Sequence, residues 1–515
     1  MSRINVNNLT FYYDGDYEPV FDQVSFAIDT DWKLGFIGRN GKGKTTFLKL
    51  LMAKYDYTGT ISTNVVFDYF PYTIKEEYDQ KPAAEFLEEL KAGCEEWRVI
   101  CELDQLGVEA ERLYRPFGTL SFGERTKIML ALLFSGEHQF LLIDEPTNHL
   151  DQASREMVKG YLAGKRGFIL VSHDRELLDA CIDHVLVLNR HSIEVQAGSF
   201  SSWWENKCRR DAFEKRENEK HKKEINKLKN ASERARQWAS KNEASKIGID
   251  PIKDHDRGNG TRPYIGAKTK KMQSRVTQME KRMQREIEEK EDLLWDIENP
   301  PDLKLMPLQH HKNTLLSMQK YGLQYSDARQ PLFQNLTMEI KRGERVFLNG
   351  YNGCGKSSLI SMILQQAVGK AEGLKADPQK MLESGTLETA SGLIISYISQ
   401  DTSFLSGSIH RFCQEKQLDE SLFCSILRQL DLERVQFDRQ MEHYSEGQKK
   451  KVLIAASLLT PAHLYIWDEP LNYIDIFSRM QIEKLILASQ PTMLVVEHDV
   501  RFREQIATKV IDLGC

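Results

Sequence analysis

GRNGKGKTT, residues 38–46, decides the fold, and GYNGCGKSS, residues 350–358, repeats it. Both fit G-x-x-x-x-G-K-[ST]. Each follows an apolar run, LGFI or RVFL, and opens a helical one, FLKLLMA or LISMILQQ. Strand, glycine-rich loop and helix form the setting in which backbone N–H groups curl around phosphate oxygens. The helix N-terminus adds partial positive charge. Gly38, Asn40, Gly41, Gly43 and Thr46 build the expected first loop, and Gly350, Asn352, Gly353, Gly355 and Ser358 the second. Lys44 and Lys356 would reach β and γ phosphates, while Thr45 and Ser357 would hold Mg2+. One match can be accidental; two in matching context mark an internal repeat.

Further pairs follow in the same order. FLLIDEP ends an apolar strand in Asp144 and Glu145, and LYIWDEP does so in Asp468 and Glu469. The first carboxylate is expected to support the metal and the second to take a proton from attacking water. A helix cap is the bland alternative, weakened by the partner motifs. SHDR (172–175) and EHDV (497–500) each follow another apolar strand. A lone histidine is usually structural, but His173 and His498 stand at equivalent places and read as γ-phosphate sensors. LSFGERTK (120–127) and YSEGQKKK (444–451) place Ser121, Gly123, Ser445 and Gly447 at helix starts, where N–H and O–H donors face an anion.

This succession resembles the ATP-binding-cassette ATPases, whose terms are Walker A, signature, Walker B, D-loop and H-switch. The D-loops read NHLD (148–151) and NYID (472–475), and Tyr13 and Tyr325 stand where that family stacks a ring on adenine. Tyr325 and Lys356 lie 312 residues beyond Tyr13 and Lys44, whereas Ser445 and Asp468 lie 324 beyond Ser121 and Asp144. The 12 extra residues are expected in KAEGLKADPQKMLESG. Gln400, in SYISQ, matches the family's glutamine beside the metal, and the first copy has Tyr72 there, in DYFPY. A tyrosine offers no amide oxygen, so the first site is expected to turn over more slowly or couple differently. The resemblance implies two composite sites. One joins Lys44, Thr45, Asp144, Glu145 and His173 to Ser445 and Gly447. The other joins Lys356, Ser357, Gln400, Asp468, Glu469 and His498 to Ser121 and Gly123. ATP would then hold the halves together and its cleavage would release them.

At 515 residues more than one domain is expected. With 41% hydrophobic and 28% charged residues the composition is that of a soluble globular chain. No apolar run is long enough for a membrane span, and the N-terminus lacks a signal-peptide core. The eight cysteines form no CxxC, which argues against zinc or iron–sulfur sites and fits a cytoplasmic setting. The net charge of −5 hides an asymmetry: residues 201–290 hold 25 Lys and Arg against 15 Asp and Glu, a net of +10. A basic middle between acidic bodies fits a polyanionic partner; on charge alone a solvated helix face is the plainer explanation.

The expected fold is therefore α/β: two P-loop ATPase domains of the cassette type, 1–199 and 306–515, joined by a long antiparallel helical hairpin, 200–305. Apolar residues recur at helical spacing in both arms: Ile225, Leu228, Ala231, Ala235 and Trp238, then Met272, Val276, Met279, Met283, Ile287 and Leu294. The tip, about 244–268, contains DRGNGTRPYIG. Lys and Arg along the arms would meet phosphates, with Arg257, Arg262, Tyr264, Ile265 and Lys268 reaching furthest. A mechanical spacer and a Tyr264 packed on its own hairpin are the plainer readings.

Two cassettes, no membrane domain and a long helical linker resemble the ABC-F proteins. YIGAKTKKMQSR, DWKLGFIGRNGKGKTT and GSFSSWWENK look similar to their antibiotic-resistance, Lsa-like branch. That resemblance implies a cytoplasmic, ribosome-associated ATPase with ATP and Mg2+ at two sites, monomeric through intramolecular pairing of its cassettes. It would bind the 70S ribosome at the tRNA exit site, near 23S rRNA and P-site tRNA, and point its linker at the peptidyl-transferase centre to dislodge lincosamides, pleuromutilins or streptogramin A. A housekeeping translation factor, the ATPase subunit of a membrane transporter and a DNA-repair ATPase are the alternatives.

Overall fold

The structure is a computed structural model. It describes residues 2–13, 19–39, 41–136, 139–148, 150–189, 192–244, 305–328, 330–368, 381–432 and 434–513, together with 274, 278, 279, 281 and 282. Asn40 and the expected tip residues Arg257, Arg262, Tyr264, Ile265 and Lys268 fall outside the described residues.

The first half supplies β1 Arg3–Phe11, β2 Phe21–Asp29, β3 Lys33–Ile37, β4 Thr58–Ser62, β5 Val66–Phe70, β6 Gln139–Asp144, β7 Phe168–Val171, β8 His184–Leu188 and β9 Ile193–Ala197. They form a three-stranded sheet, β2-β1-β4, and a six-stranded one, β5-β6-β7-β3-β8-β9. The larger sheet is parallel except for β9. A parallel strand covered on both faces must be apolar throughout. FILV in β7 is wholly buried for that reason, as is the FLLI centre of β6.

The second half repeats the plan with β10 Thr314–Tyr325, β11 Phe333–Lys341, β12 Arg345–Asn349, β13 Met381–Thr389, β14 Ile395–Ile398, β15 Leu464–Asp468, β16 Met493–Val496 and β17 Lys509–Asp512. Its sheets run β11-β10-β13 and β14-β15-β16-β12-β17. The chain is thus two cassettes in tandem. The repeat reaches into the backbone. Asn8 and Lys320, Gln23 and Asn335, and Glu145 and Glu469 are matched pairs with φ between 47° and 59°, a region that side chains with a Cβ seldom enter. Part of the second copy's extra length lies after its phosphate loop. The helix there runs Lys356–Val368 against Lys44–Leu51, and β13 is longer than β4.

The chain divides into two compact units, Met1–Trp203 with Pro301–Cys515, and Trp204–Pro300. The helix Phe200–Ala244 has 45 residues, and its first turn, with Phe200 and Trp203 buried, belongs to the first unit. Further along, Asn218 and Ile225 are buried and Leu228 is half-buried, while Lys220, Lys222, Lys223 and Lys227 are exposed. Steps of seven and three residues trace a narrow seam of heptad type. The side chains of Ala235 and Trp238 lie outside the described residues. Met279, expected on the facing stripe, is helical but 49% exposed, as a side chain flanking a narrow seam would be.

Candidate nucleotide sites

In each cassette the phosphate loop follows an interior strand, β3 or β12, which lies between two parallel neighbours. Gly43 and Gly355 adopt φ of 103° and 100° at the start of the following helix, and a Cβ on Gly43 would stand 2.6 Å from Val20 Cγ1. Only glycine suits that place. Lys44 Nζ donates to the Gly38 and Arg39 carbonyls at 2.6 and 3.1 Å, and Lys356 Nζ to those of Gly350 and Tyr351 at 2.8 and 2.9 Å. Burial lowers the Lys44 pKa, opposed by Asp475, Glu145 and Asp144.

The first cavity, about 570 Å3, is lined by Gly41, Lys44, Thr45, Asp144, Glu145 and His173 from one cassette. Asp431, Ser445, Gly447, Lys451 and Tyr473 line it from the other. Asp144 Oδ2 accepts from Thr45 Oγ1 at 2.8 Å and from the Tyr69 hydroxyl at 3.1 Å. Burial raises the Asp144 pKa. Glu145 goes up to about 8, through burial first and the neighbouring Asp144 second. Among the described residues Glu145 Oε1 accepts no hydrogen bond, with His173 Nε2 3.3 Å away. Burial, then the Lys44 charge, push His173 well below the usual histidine range, so it stands neutral.

The second cavity, about 630 Å3, is lined by Tyr325, Leu332, Asn352, Gly353, Lys356, Ser357, Gln400, Glu469, Asn472 and His498. Phe122 and Arg155 join them from the first cassette. Glu469 Oε2 accepts from Gln400 Nε2 and Asn472 Nδ2, both at 2.7 Å. Burial would raise its pKa, but His498, 3.7 Å away, and Gln400 hold it at about 2. Glu145 and Glu469 are pinned alike, their N–H groups donating to Val171 and Val496 carbonyls at 2.9 Å.

Not every expected residue lines a cavity. Ser121 and Gly123 do not; Phe122 between them does. Ser121 instead closes a capping box with Glu124, as Ser445 does with Gln448. Asp468 is buried outside the cavity lining. The Tyr13 hydroxyl bonds Thr46 Oγ1 at 2.5 Å and that of Tyr325 bonds Ser358 Oγ at 3.0 Å. Tyr72 lies outside the lining of the first nucleotide cavity: its hydroxyl donates to Asp68 Oδ2 at 2.8 Å, and its ring borders a neighbouring cavity that Asp144 and Glu145 also line.

Sequence reading passed over Tyr69, Phe122, Arg155 and Arg479. The arginines carried a signal, since each stands four residues after a D-loop aspartate in both copies. Arg155 Nε donates to Leu150 O and Arg479 Nε to Ile474 O, both at 2.9 Å. Each also pairs with the aspartate after the histidine: Arg155 with Asp174 at 3.7 Å, and Arg479 with Asp499 at 3.0 Å. D-loop and H-switch are thereby tied within each cassette.

The donors fit Mg2+: a hydroxyl with one or two carboxylates, hard oxygens of the kind it takes alongside water and phosphate. Among the described residues no group of three or more His, Cys, Asp or Glu side chains could hold a metal ion.

Two parallel-sheet cassettes, each with a phosphate loop, a carboxylate-ended strand and a cavity completed by the other cassette, define a tandem P-loop ATPase. The sequence profile of the family described as ABC transporter matches residues 21–148 and 333–472, just over half of the chain. The chain belongs to that family, and its cassettes are of the ATP-binding, ATP-hydrolysing kind. It is 26% identical to the ribosome protection protein VmlR of Bacillus subtilis (strain 168), over 96% of this chain and 84% of that protein. It is 24% identical to ABC transporter F family member 2 of Arabidopsis thaliana, over 99% of this chain and 76% of that one. Among solved structures, the archaeal ribosome recycling factor from its complex with a ribosomal stalk protein shares the fold. Its TM-score is 0.60 at 18% identity, covering 98% of this chain and 87% of that chain. Among the described residues no helix is long and apolar enough to cross a membrane.

Proposed function

We infer that the chain is an ATP-switched ribosome-protection factor of the ABC-F type, cytoplasmic and ribosome-associated. It binds the 70S ribosome at the tRNA exit site, against 23S rRNA and P-site tRNA. The linker, 200–305 between cassettes 1–199 and 306–515, points toward the peptidyl-transferase centre and displaces lincosamide, pleuromutilin or streptogramin A drugs. The observation that carries the reading is the pair of composite cavities, each built from both cassettes of one chain. A basic middle segment and likeness to a ribosome protection protein support it. Arg257, Arg262, Tyr264, Ile265 and Lys268 are its proposed tip contacts.

Within the sites, Glu145 and Glu469 take the proton of attacking water, and His173 and His498 contact the γ-phosphate. Lys44 and Lys356 hold phosphates. Tyr13 and Tyr325 stack on adenine once they release Thr46 and Ser358. Thr45 with Asp144, and Ser357 with Gln400 and Asp468, would hold Mg2+, which neutralises phosphate charge when bound.

The test is Glu145→Gln with Glu469→Gln. The doubly substituted protein should co-sediment with 70S ribosomes in ATP and leave them when ATP is withdrawn. Absence from the ribosomal fraction would reject the reading. Expression in a drug-sensitive Gram-positive host separates protection from housekeeping: unchanged inhibitory concentrations for all three drug classes would favour a general translation factor.

A further inference from the structure

Tyr72 stands where the second cassette carries Gln400, and its hydrogen bond leads away from its own cavity. Asp68 Oδ2, which accepts the Tyr72 hydroxyl, also pairs with Lys91 Nζ at 2.9 Å. Lys91 is buried, and its ammonium donates further to the Leu132 and Leu133 carbonyls at 3.1 and 2.8 Å. Those carbonyls end the helix Phe122–Phe134, where the helix dipole favours a cation. The same helix begins at Ser121, and Phe122 lines the second cavity. At its N-terminal half, Phe122, Thr126 and Met129 face the 69–74 stretch across a cavity of about 500 Å3 that Asp144 and Glu145 of the first site also line. The polar tie therefore acts at the helix's far end.

The second cassette makes its tie differently. Ser396 Oγ and Ser457 Oγ are 2.7 Å apart, and Trp467 Nε1 donates to Ser457 Oγ at 3.0 Å. This link joins β14 to the helix Glu446–Leu459; Lys450 Nζ of that helix donates to the Ser399 carbonyl at 2.7 Å beside Gln400, which itself reaches Glu469.

We propose that Tyr72, Asp68 and Lys91 form a positioning relay that sets the helix Phe122–Phe134, so that the residue in the glutamine place of the first cassette controls nucleotide closure at the second site. This rests on the reading that Ser121 and Phe122 close over the nucleotide held by Lys356. Asp68 Oδ1 also accepts from the Tyr69 N–H at 2.9 Å, so removing the Tyr72 hydroxyl loosens only the Oδ2 side of the carboxylate, the side that faces Lys91. Lys91 then loses its fixed counter-charge, and a buried ammonium seeks new partners.

The test reads each site separately, by binding of a fluorescent ATP analogue to the full-length protein. Lys44→Ala leaves only the second loop competent, and Lys356→Ala only the first. Tyr72→Phe should weaken binding about fivefold in the Lys44→Ala background and change it by less than about twofold in the Lys356→Ala background, the effect of one lost hydrogen bond. Asp68→Asn, which keeps an acceptor for Tyr72 but loses the charge facing Lys91, should act in the same direction. A merely structural defect would weaken both sites. Equal loss at both sites, loss confined to the first, or no loss at either overturns the relay, provided Ser121→Ala weakens the second site. If Ser121→Ala leaves the second site unchanged, the composite-site reading fails and the relay falls with it.

Discussion

Arg175 of the first cassette and Glu483 of the second form a buried two-pronged ion pair, Nη1 and Nη2 of the guanidinium each meeting one carboxylate oxygen. Val500 and Lys159 stand at the corresponding places across the repeat, and Lys159 pairs instead with Glu156 and Glu176 of its own cassette. Arg501 of the second cassette bonds Asp179 of the first, and Arg39 of the first meets Asp431 of the second at 3.1 Å, so the cassettes are clasped in both directions by pairs that the repeat does not duplicate. Truncating either partner leaves an unpaired buried charge. Arg175→Ala and Glu483→Ala should each cost about 3 kcal/mol in chemical denaturation. The double variant should cost well under the sum, and strict additivity would show that the pair is not coupled.

Without nucleotide or metal, the two strand-end glutamates should give opposite pH signatures. Glu145 lies at about 8 when folded, above its ordinary 4.5. The folded chain then holds a proton that the unfolded chain releases. That contribution is full below about 4.5 and is lost as pH rises through 8. Glu145→Gln should therefore gain melting temperature against wild type between about pH 5 and pH 8. Glu469, held at about 2, contributes above its ordinary 4.5 and loses that as pH falls toward 2. Glu469→Gln should cost on the order of 2 kcal/mol at neutral pH and progressively less in acid. Parallel pH profiles would contradict the assignment.

Ile225 is 5% exposed on an otherwise highly charged helix. Ile225→Asp puts a charge into the seam, at a cost of about 3 kcal/mol. Limited proteolysis should then cut within residues 204–300 at least several-fold faster, while ATP-analogue binding by the cassettes persists. Unchanged cleavage would mean that the seam does not hold this unit together.

Arg262→Ala and Tyr264→Ala should lower drug protection about tenfold or more, read as inhibitory concentration, because stacking and phosphate contacts each contribute on this scale. ATP turnover without ribosomes should stay within about twofold of wild type. Loss of both together would tie the tip to catalysis.

The cassette fold was legible because its defining parts are local. A glycine-rich loop between an apolar strand and a helix, and a strand ending in two carboxylates, are written in consecutive residues and written twice. Lys44, Asp144, Glu145 and His173 share a cavity with Ser445 and Gly447, a pairing across the cassettes that the family resemblance implied and the repeat alone did not. What stayed hidden depends on distant partners. Nothing beside Tyr72 in DYFPY points to Lys91, and nothing in LSFGERTK says that Phe122, rather than the flanking Ser121 and Gly123, lines the cavity. Arg155 and Arg479 were readable as a matched pair, but their bonds to Asp174 and Asp499 cross two secondary-structure elements. Asymmetric contacts such as Arg175 with Glu483 cannot be found by comparing the two copies, because the repeat contains no second instance.

Both cassettes lie on one polypeptide, so each cavity is closed by a neighbour encoded elsewhere in the same chain. A symmetric homodimer must carry any substitution into both of its sites. Here Tyr72 and Gln400, Phe122 and Glu446, or Arg175 and Val500 can differ, because a change in one copy leaves the other untouched. Tethering also makes pairing independent of protein concentration. Duplication within one reading frame thus leaves each copy free to change without carrying the change into the other.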